Sequence, residues 1–359
     1  MNIVIRTDSS VEIGTGHVMR CLTLAKQLMQ FGANVSFICR DFPGNNSSYI
    51  KEQGFSVYKL RSRCTEHHWQ WVKEYWETDV EETLAILNGF NQKPHLLIVD
   101  HYGLDSRWED KLRAHVKNIM VIDDLADRPH NCDVLLDQNY YLNMRDRYRA
   151  LVPDACFQLL GPNYVLLRDE FLSIDTENIQ RDGKIHNVLV FFGGTDPTAE
   201  TMKTLQALHE LHFPSLAIHV VVGATNPNKK QIKDVCAKMP QTFYYCQIDH
   251  MADLMMKTDL AIGAGGTTTW ERCYLQLPSL TAIIADNQVE VTKAVAAKGA
   301  TISLGRTNEF DKVTIKKEMI SLIKNKERLR EMSENCKGIV DGSIVKGRPV
   351  ARFVMELCL

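Results

Sequence analysis

The chain lacks a surplus of either charge: 42 Lys and Arg stand against 44 Asp and Glu over 359 residues. Without a basic field, nucleic acid is excluded as a partner on charge grounds. No apolar run is long enough to cross a bilayer, so no stable membrane association is expected. No charged and apolar leader precedes the first strand-like residues, and a cytoplasmic location is the expectation. The ten cysteines include no C-x-x-C and no close pair, the pattern of reduced core thiols rather than a disulfide framework. Cys64, His67 and His68 are metal-capable neighbours, yet no second ligand pair completes a zinc site. No metal and no cofactor is therefore expected. Internal repeats and low-complexity segments are absent too.

What is present is alternation. Apolar strand-like runs at Asn2–Arg6, Asn34–Cys39, Leu96–Asp100, Ile119–Asp123 and Val134–Leu136 are separated by helical stretches, notably Val18–Phe31 and a long one from Trp69 to Leu87. That order predicts a parallel sheet covered on both faces, with strands that lack strong in-out alternation. The pattern breaks between Leu160 and Ile185, where Gly161-Pro162 and the polar run Asp175 to Lys184 suggest a linker near 165–185. It resumes at Asn187–Phe192, Ala217–Val222, Thr242–Cys246, Asp259–Ile262, Ser279–Ile284 and Thr301–Leu304. The expected fold class is α/β, with two Rossmann-like domains over 1–165 and 186–345 and a terminal helix over 346–359 able to dock on either.

Residues Thr7 to Arg20 read as a strand end, a glycine loop and a helix start, with His17 at the start of the helix. Glycines let a backbone bend sharply and approach a ligand closely, and a neutral imidazole is a usable base near pH 7. A dinucleotide fingerprint is the rival reading, but its third glycine position is Met19, leaving only Asp41 as a ribose-binding acid. A bare tight turn at Gly14 and Gly16 is the plainer alternative. Asp100-His101-Tyr102 and Asp123-Asp124 leave strand ends on the same side, where ligands of open α/β sheets bind.

The second half carries another such loop. Gly263 to Thr269 brings backbone N–H groups and hydroxyls to a helix start, a fitting diphosphate cradle. Glu271, about one turn inside, could accept hydrogen bonds from ribose hydroxyls or simply answer the helix dipole. His250 follows one strand end, and Asn287-Gln288 follow another, offering amide donors and acceptors or ordinary capping. The aromatic stripe Trp69, Trp71, Tyr75 and Trp76 reads as helix packing rather than a sugar platform.

Taken together, the opening R-x-D-x-S-x-x-I-G-x-G-H-x-M-R-C, VDHYGLD at 99–105, IDDLADR at 122–128, GPNYVLLRDEF at 161–171, FFGGTDP at 191–197 and GAGGTTTWERCYLQLPS at 263–279 resemble a known family. It is that of the UDP-sugar hydrolases of pseudaminic acid biosynthesis, related to the MurG-type glycosyltransferases with the GT-B fold. The resemblance implies a UDP-sugar substrate and UDP as product, with water attacking the anomeric carbon. It implies that His17 is the catalytic base. Asp8, Gly14, Gly16, Asp100, His101, Tyr102 and Asp123 would stand on the sugar and phosphate side. Gly193, Gly194, His250, Gly265, Gly266, Thr267, Glu271, Asn287 and Gln288 would bind UDP, with Glu271 on the ribose. A transferase of the same fold and a non-catalytic nucleotide-sugar sensor are the alternatives. The segment 61–75 matches no family motif and receives no role from it.

Overall fold

The structure is a computed structural model and describes residues 1–62 and 67–358. The chain divides into two compact units, one of residues 1–139, 143–167 and 346–359, the other of residues 140–142 and 168–345.

The first unit is built on a seven-stranded sheet. Its strands are β1 (Asn2–Thr7), β2 (Asn34–Arg40), β3 (Ser56–Leu60), β4 (Leu96–Asp100), β5 (Asn118–Ile122), β6 (Val134–Asp137) and β7 (Phe157–Leu160). They lie in the order β3-β2-β1-β4-β5-β6-β7, all parallel. Ile3 and Ile5 point to one apolar layer and Val4 to the other, so both faces of β1 are covered. Such strands carry apolar residues at every position because neither face meets water. The helix Gly16–Gln30 and the terminal helix Pro349–Leu357 pack in one layer through Leu24, Leu28, Val350 and Val354. The terminal helix therefore belongs to the first unit.

The second unit holds β8 (Asn187–Phe191), β9 (Ala217–Val222), β10 (Thr242–Cys246), β11 (Leu260–Ala264), β12 (Ser279–Ile283) and β13 (Thr301–Arg306). Their order is β10-β9-β8-β11-β12-β13, again all parallel.

Three features depart from the expectations. Strands β3 and β7 carry no clear sequence signal, since both are sheet edges with exposed residues such as Ser56, Tyr58 and Phe157. The stretch expected as one helix from Trp69 to Leu87 is two, His68–Glu74 and Trp76–Leu87, broken at Tyr75, whose φ of −107° and ψ of 37° leave the helical region. Residues 168–185 are folded rather than a free linker. The helix Asp169–Leu172 lies there, and Arg181 donates to the carbonyls of Thr258 and Leu275.

Candidate functional site

In the first unit the loop after β1 is a tight turn. The N–H of Gly14 donates to the carbonyl of Ser10 over 2.9 Å, and Gly14 has φ +78°, a conformation that favours glycine. Ser10 Oγ accepts the N–H groups of Glu12 and Ile13, so its own proton goes to His68 Nδ1, 2.7 Å away. His68 in turn stacks on Phe42, with ring centroids 4.4 Å apart. That is a structural use of His68. Its proposed metal-capable neighbour Cys64 lies outside the described residues, and among the described residues no group of three His, Cys, Asp or Glu is placed to hold a metal.

His17 opens the helix Gly16–Gln30, and its Nδ1 lies 2.6 Å from Asp100 Oδ1 at the end of β4. A carboxylate oxygen only accepts, so this contact is a hydrogen bond in the tautomer with the proton on Nδ1, which leaves the lone pair on Nε2; Arg20 Nη2 stands 3.2 Å from the same nitrogen. Arg20, one helical turn on, donates from Nε to Asp100 Oδ2 and from Nη2 to Oδ1, each over 2.6 Å. Its Nη1 reaches Asp124 Oδ2 at 2.8 Å, and Asp124 Oδ1 accepts the Tyr102 hydroxyl at 2.7 Å. The Tyr102 ring closes the circuit edge-on to the His17 imidazole, 4.5 Å between centroids. Burial alone would raise the Asp100 carboxyl, but Arg20 and His17 outweigh it and hold it well below the usual carboxylate range.

Asp8 and His101 belong to a second, deeper network. Arg6 grips Asp8 and Asp79, and Arg40 reaches Asp79 and Glu82. Trp108 Nε1 donates to Asp79 as well. His101 Nδ1 accepts the N–H of Gly103 at 2.9 Å, so the neutral ring carries its proton on Nε2, which stands 3.3 Å from Asp8 Oδ2, a polar contact rather than an aligned hydrogen bond. Burial lowers His101 despite that partner. Asp123 is occupied elsewhere: it accepts the N–H of Ala126 and the Tyr148 hydroxyl and pairs with Arg128. Its neighbour Asp124 is the one linked to His17, through Arg20 and Tyr102. Asp41, the acid of the rival dinucleotide reading, is engaged by Lys59 and Asn45.

In the second unit β8 leads into Gly193, with φ +89°, and Gly194. A Cβ on Gly223, which follows β9, would stand 2.3 Å from the Gly194 carbonyl oxygen, so the two backbones touch. After β11, Gly265 is buried, Gly266 half-buried and Thr267 exposed at the start of the helix Thr268–Tyr274. Gln288 lies alongside, its Nε2 3.7 Å from where a Gly266 Cβ would be, and its Oε1 accepts the N–H of Ile284. Asn287 and His250 are exposed, the latter capping the helix Met251–Lys257. Glu271 is mostly buried. Its Oε1 takes a hydrogen bond from Arg168 Nη2 at 3.0 Å, and Arg168 Nη1 pairs with Glu170 at 2.5 Å. Burial raises the Glu271 carboxyl and Arg168 opposes that rise.

Arg20 and Arg168 were not among the expected site residues, and Asp124 was named only beside Asp123 at its strand end. Arg20 and Arg168 do lie inside motifs, M-R-C and L-L-R-D, and an arginine within a motif was the available signal.

Two doubly wound parallel units of this kind define a protein of the GT-B fold. Residues 188–344 match the glycosyltransferase family 28 C-terminal domain. Over 99% of both chains the structure is similar to MurG of Acinetobacter baumannii, with a TM-score of 0.70 at 16% identity, a likeness of fold. In sequence the chain is a relative of the UDP-2,4-diacetamido-2,4,6-trideoxy-beta-L-altropyranose hydrolase of Campylobacter jejuni, 29% identical over 301 residues, covering 83% of this chain and 97% of that one. The spore coat polysaccharide biosynthesis protein SpsG of Bacillus subtilis is 22% identical over 95% of both chains. The resemblance carried by the motifs is thereby borne out. Among the described residues no helix is long and apolar enough to cross a membrane.

Proposed function

We propose that this protein is a hydrolase of a UDP-linked diacetamido-trideoxy sugar, releasing UDP and the free sugar in the formation of pseudaminic acid. The observation that supports the chemistry is the His17–Asp100 pair, a carboxylate 2.6 Å from Nδ1 that favours the tautomer with the lone pair on Nε2. In this reading Nε2 takes a proton from water as the water oxygen bonds to the anomeric carbon. The bond from that carbon to the UDP oxygen breaks, and its electron pair leaves with the diphosphate. Attack from the face opposite UDP inverts the anomeric centre. Asp100 stabilises the imidazolium that forms. In the second unit the N–H groups around Gly193-Gly194 and Gly265-Gly266-Thr267 receive the diphosphate charge, Glu271 accepts from the ribose hydroxyls, and His250, Asn287 and Gln288 complete the nucleotide contacts. UDP is already a good leaving group, so a positioned base worth roughly 10²–10⁴-fold and charge-stabilising donors suffice.

The test is incubation of the full chain with a panel of UDP-sugars, following UDP and free sugar. The diacetamido-trideoxy substrate should be cleaved and UDP-GlcNAc left intact. His17→Ala should lose UDP release by about 10²–10⁴-fold while UDP affinity stays within about twofold. Equal loss of both would make His17 structural, and UDP release that requires an added alcohol would make the protein a transferase.

A further inference from the structure

The ion pair between Arg168 and Glu271 assigns a role to a residue that the proposed chemistry leaves unused. We propose that Arg168 is a positioning residue of the nucleotide site, holding the Glu271 carboxylate by Oε1 so that Oε2 is presented to the ribose. The inference rests on the reading of Glu271 as the ribose-binding carboxylate.

The geometry is a bracket. Arg168 Nη2 meets Glu271 Oε1 at 3.0 Å, and no partner among the described residues engages Oε2. The same guanidinium reaches Glu170 Oε1 through Nη1 at 2.5 Å, and Glu170 Oε2 accepts the N–H of Ala252 at 3.1 Å. Ala252 lies in the first turn of the helix that His250 caps, so one arginine ties together the helices carrying two of the expected nucleotide contacts. Its guanidinium also lies over the Phe171 ring, 5.1 Å from the centroid, which fixes the plane of the fork.

A carboxylate offers about four lone-pair directions, and one bond from Arg168 leaves enough for two ribose hydroxyls. Without Arg168, the carboxylate would stand mostly buried with only the acidic Glu170 and the neighbouring Arg272 for charge. Arg272 is turned away, its Nη2 donating to the Ala264 carbonyl and Thr269 Oγ1. Burial already raises the Glu271 carboxyl, and loss of Arg168 would raise it further, so that it protonates and loses acceptor capacity at a higher pH.

The experiment is titration of UDP and 2′-deoxy-UDP by calorimetry at several values between pH 5.5 and 8. It uses the full chain as wild type, Arg168→Met, Arg168→Lys and Glu271→Gln. Wild type should prefer UDP. Arg168→Met should lose several-fold of that preference, more at pH 5.5 than at pH 8, because a carboxyl raised further by loss of its cation is less ionised as pH falls. Arg168→Lys should recover part of the preference through its charge, though not the fork geometry. An Arg168→Met preference equal to wild type at every pH would overturn the inference. Should Arg168→Met not fold, Arg168→Lys decides: a reduced preference supports the bracket and an unchanged one overturns it. Glu271→Gln separates the two layers. If it leaves UDP affinity and preference unchanged, the ribose reading falls; if it abolishes the preference while Arg168→Met does not, only the role of Arg168 falls.

Discussion

Replacing Asp100 by Asn removes one charge and one acceptor at the point where the network around His17 is most tightly specified. Oδ1 receives both His17 Nδ1 and Arg20 Nη2, while Oδ2 receives Arg20 Nε and the Cys21 thiol. All four are donors, and a carboxamide has a single oxygen. If that oxygen takes the Oδ1 place, the NH2 faces Arg20 Nε, donor against donor. If it takes the Oδ2 place, the NH2 faces His17 Nδ1, which must then accept, and the imidazole proton moves to Nε2. The guanidinium favours the second arrangement, which keeps its bond from Nε and offers Nη2, displaced from the Oδ1 place, an accepting His17 Nδ1 3.2 Å away. The base is then lost, and the rate should fall by the full worth of general base catalysis, about 10²–10⁴-fold or roughly 3–5 kcal/mol of barrier. Fold stability should suffer less than an orphaned buried charge implies, since Arg20 keeps Asp124 at 2.8 Å. A loss of up to about 3 kcal/mol is expected, seen as a Tm lowered by roughly 5–10 °C. The assay is steady-state UDP release beside calorimetric UDP binding at a temperature where circular dichroism shows the variant folded. UDP affinity should stay within about twofold. A rate within about threefold of wild type would refute the argument, because the network would then be dispensable to the tautomer.

Two further substitutions probe other parts of the molecule. Burial raises the Asp137 carboxyl to about 7; against an unfolded value near 4, the folded state retains a proton that the unfolded chain has lost. The stability it contributes is complete below about pH 4 and is lost as pH rises through 7. Asp137→Asn should therefore flatten the fall of Tm between pH 4.5 and 7.5, and an unchanged slope would exclude Asp137 as its source. Gly223→Ala puts a Cβ 2.3 Å from the Gly194 carbonyl oxygen and 2.6 Å from its Cα, where only backbone movement gives relief. UDP affinity should drop by about tenfold as the 193–194 turn is displaced, while hydrogen exchange of residues 8–17 stays at the wild-type rate; unaltered affinity would place that turn outside the nucleotide site.

What the chain makes legible follows from where its physical constraints lie. Strands buried on both faces have to be apolar throughout, so β1, β4 and β8 are visible as runs of Ile, Leu and Val. The edges β3 and β7 answer to water on one side and carry Ser, Lys and Gln among their apolar residues, which erases the signal. The tight turn at Gly14 and the histidine at the following helix start are local, and their meaning is held within ten residues. The groups that give His17 a defined tautomer are not local. Asp100 is 83 positions away from it, and Arg20 reaches Asp124 across 104. Both acids end or follow strands, where turn-forming acids are common, so each has an innocent reading until the parallel order β1-β4-β5 sets those strand ends side by side. Arg168 and Glu271 meet across 103 positions, and no periodicity links them. A motif residue such as Arg20 or Arg168 acquires its chemistry from a partner that only the sheet order or the packing of short helices supplies. His17 is thus legible as a candidate base and Asp100 as a strand-end acid, whereas the contact between them is a property of the topology.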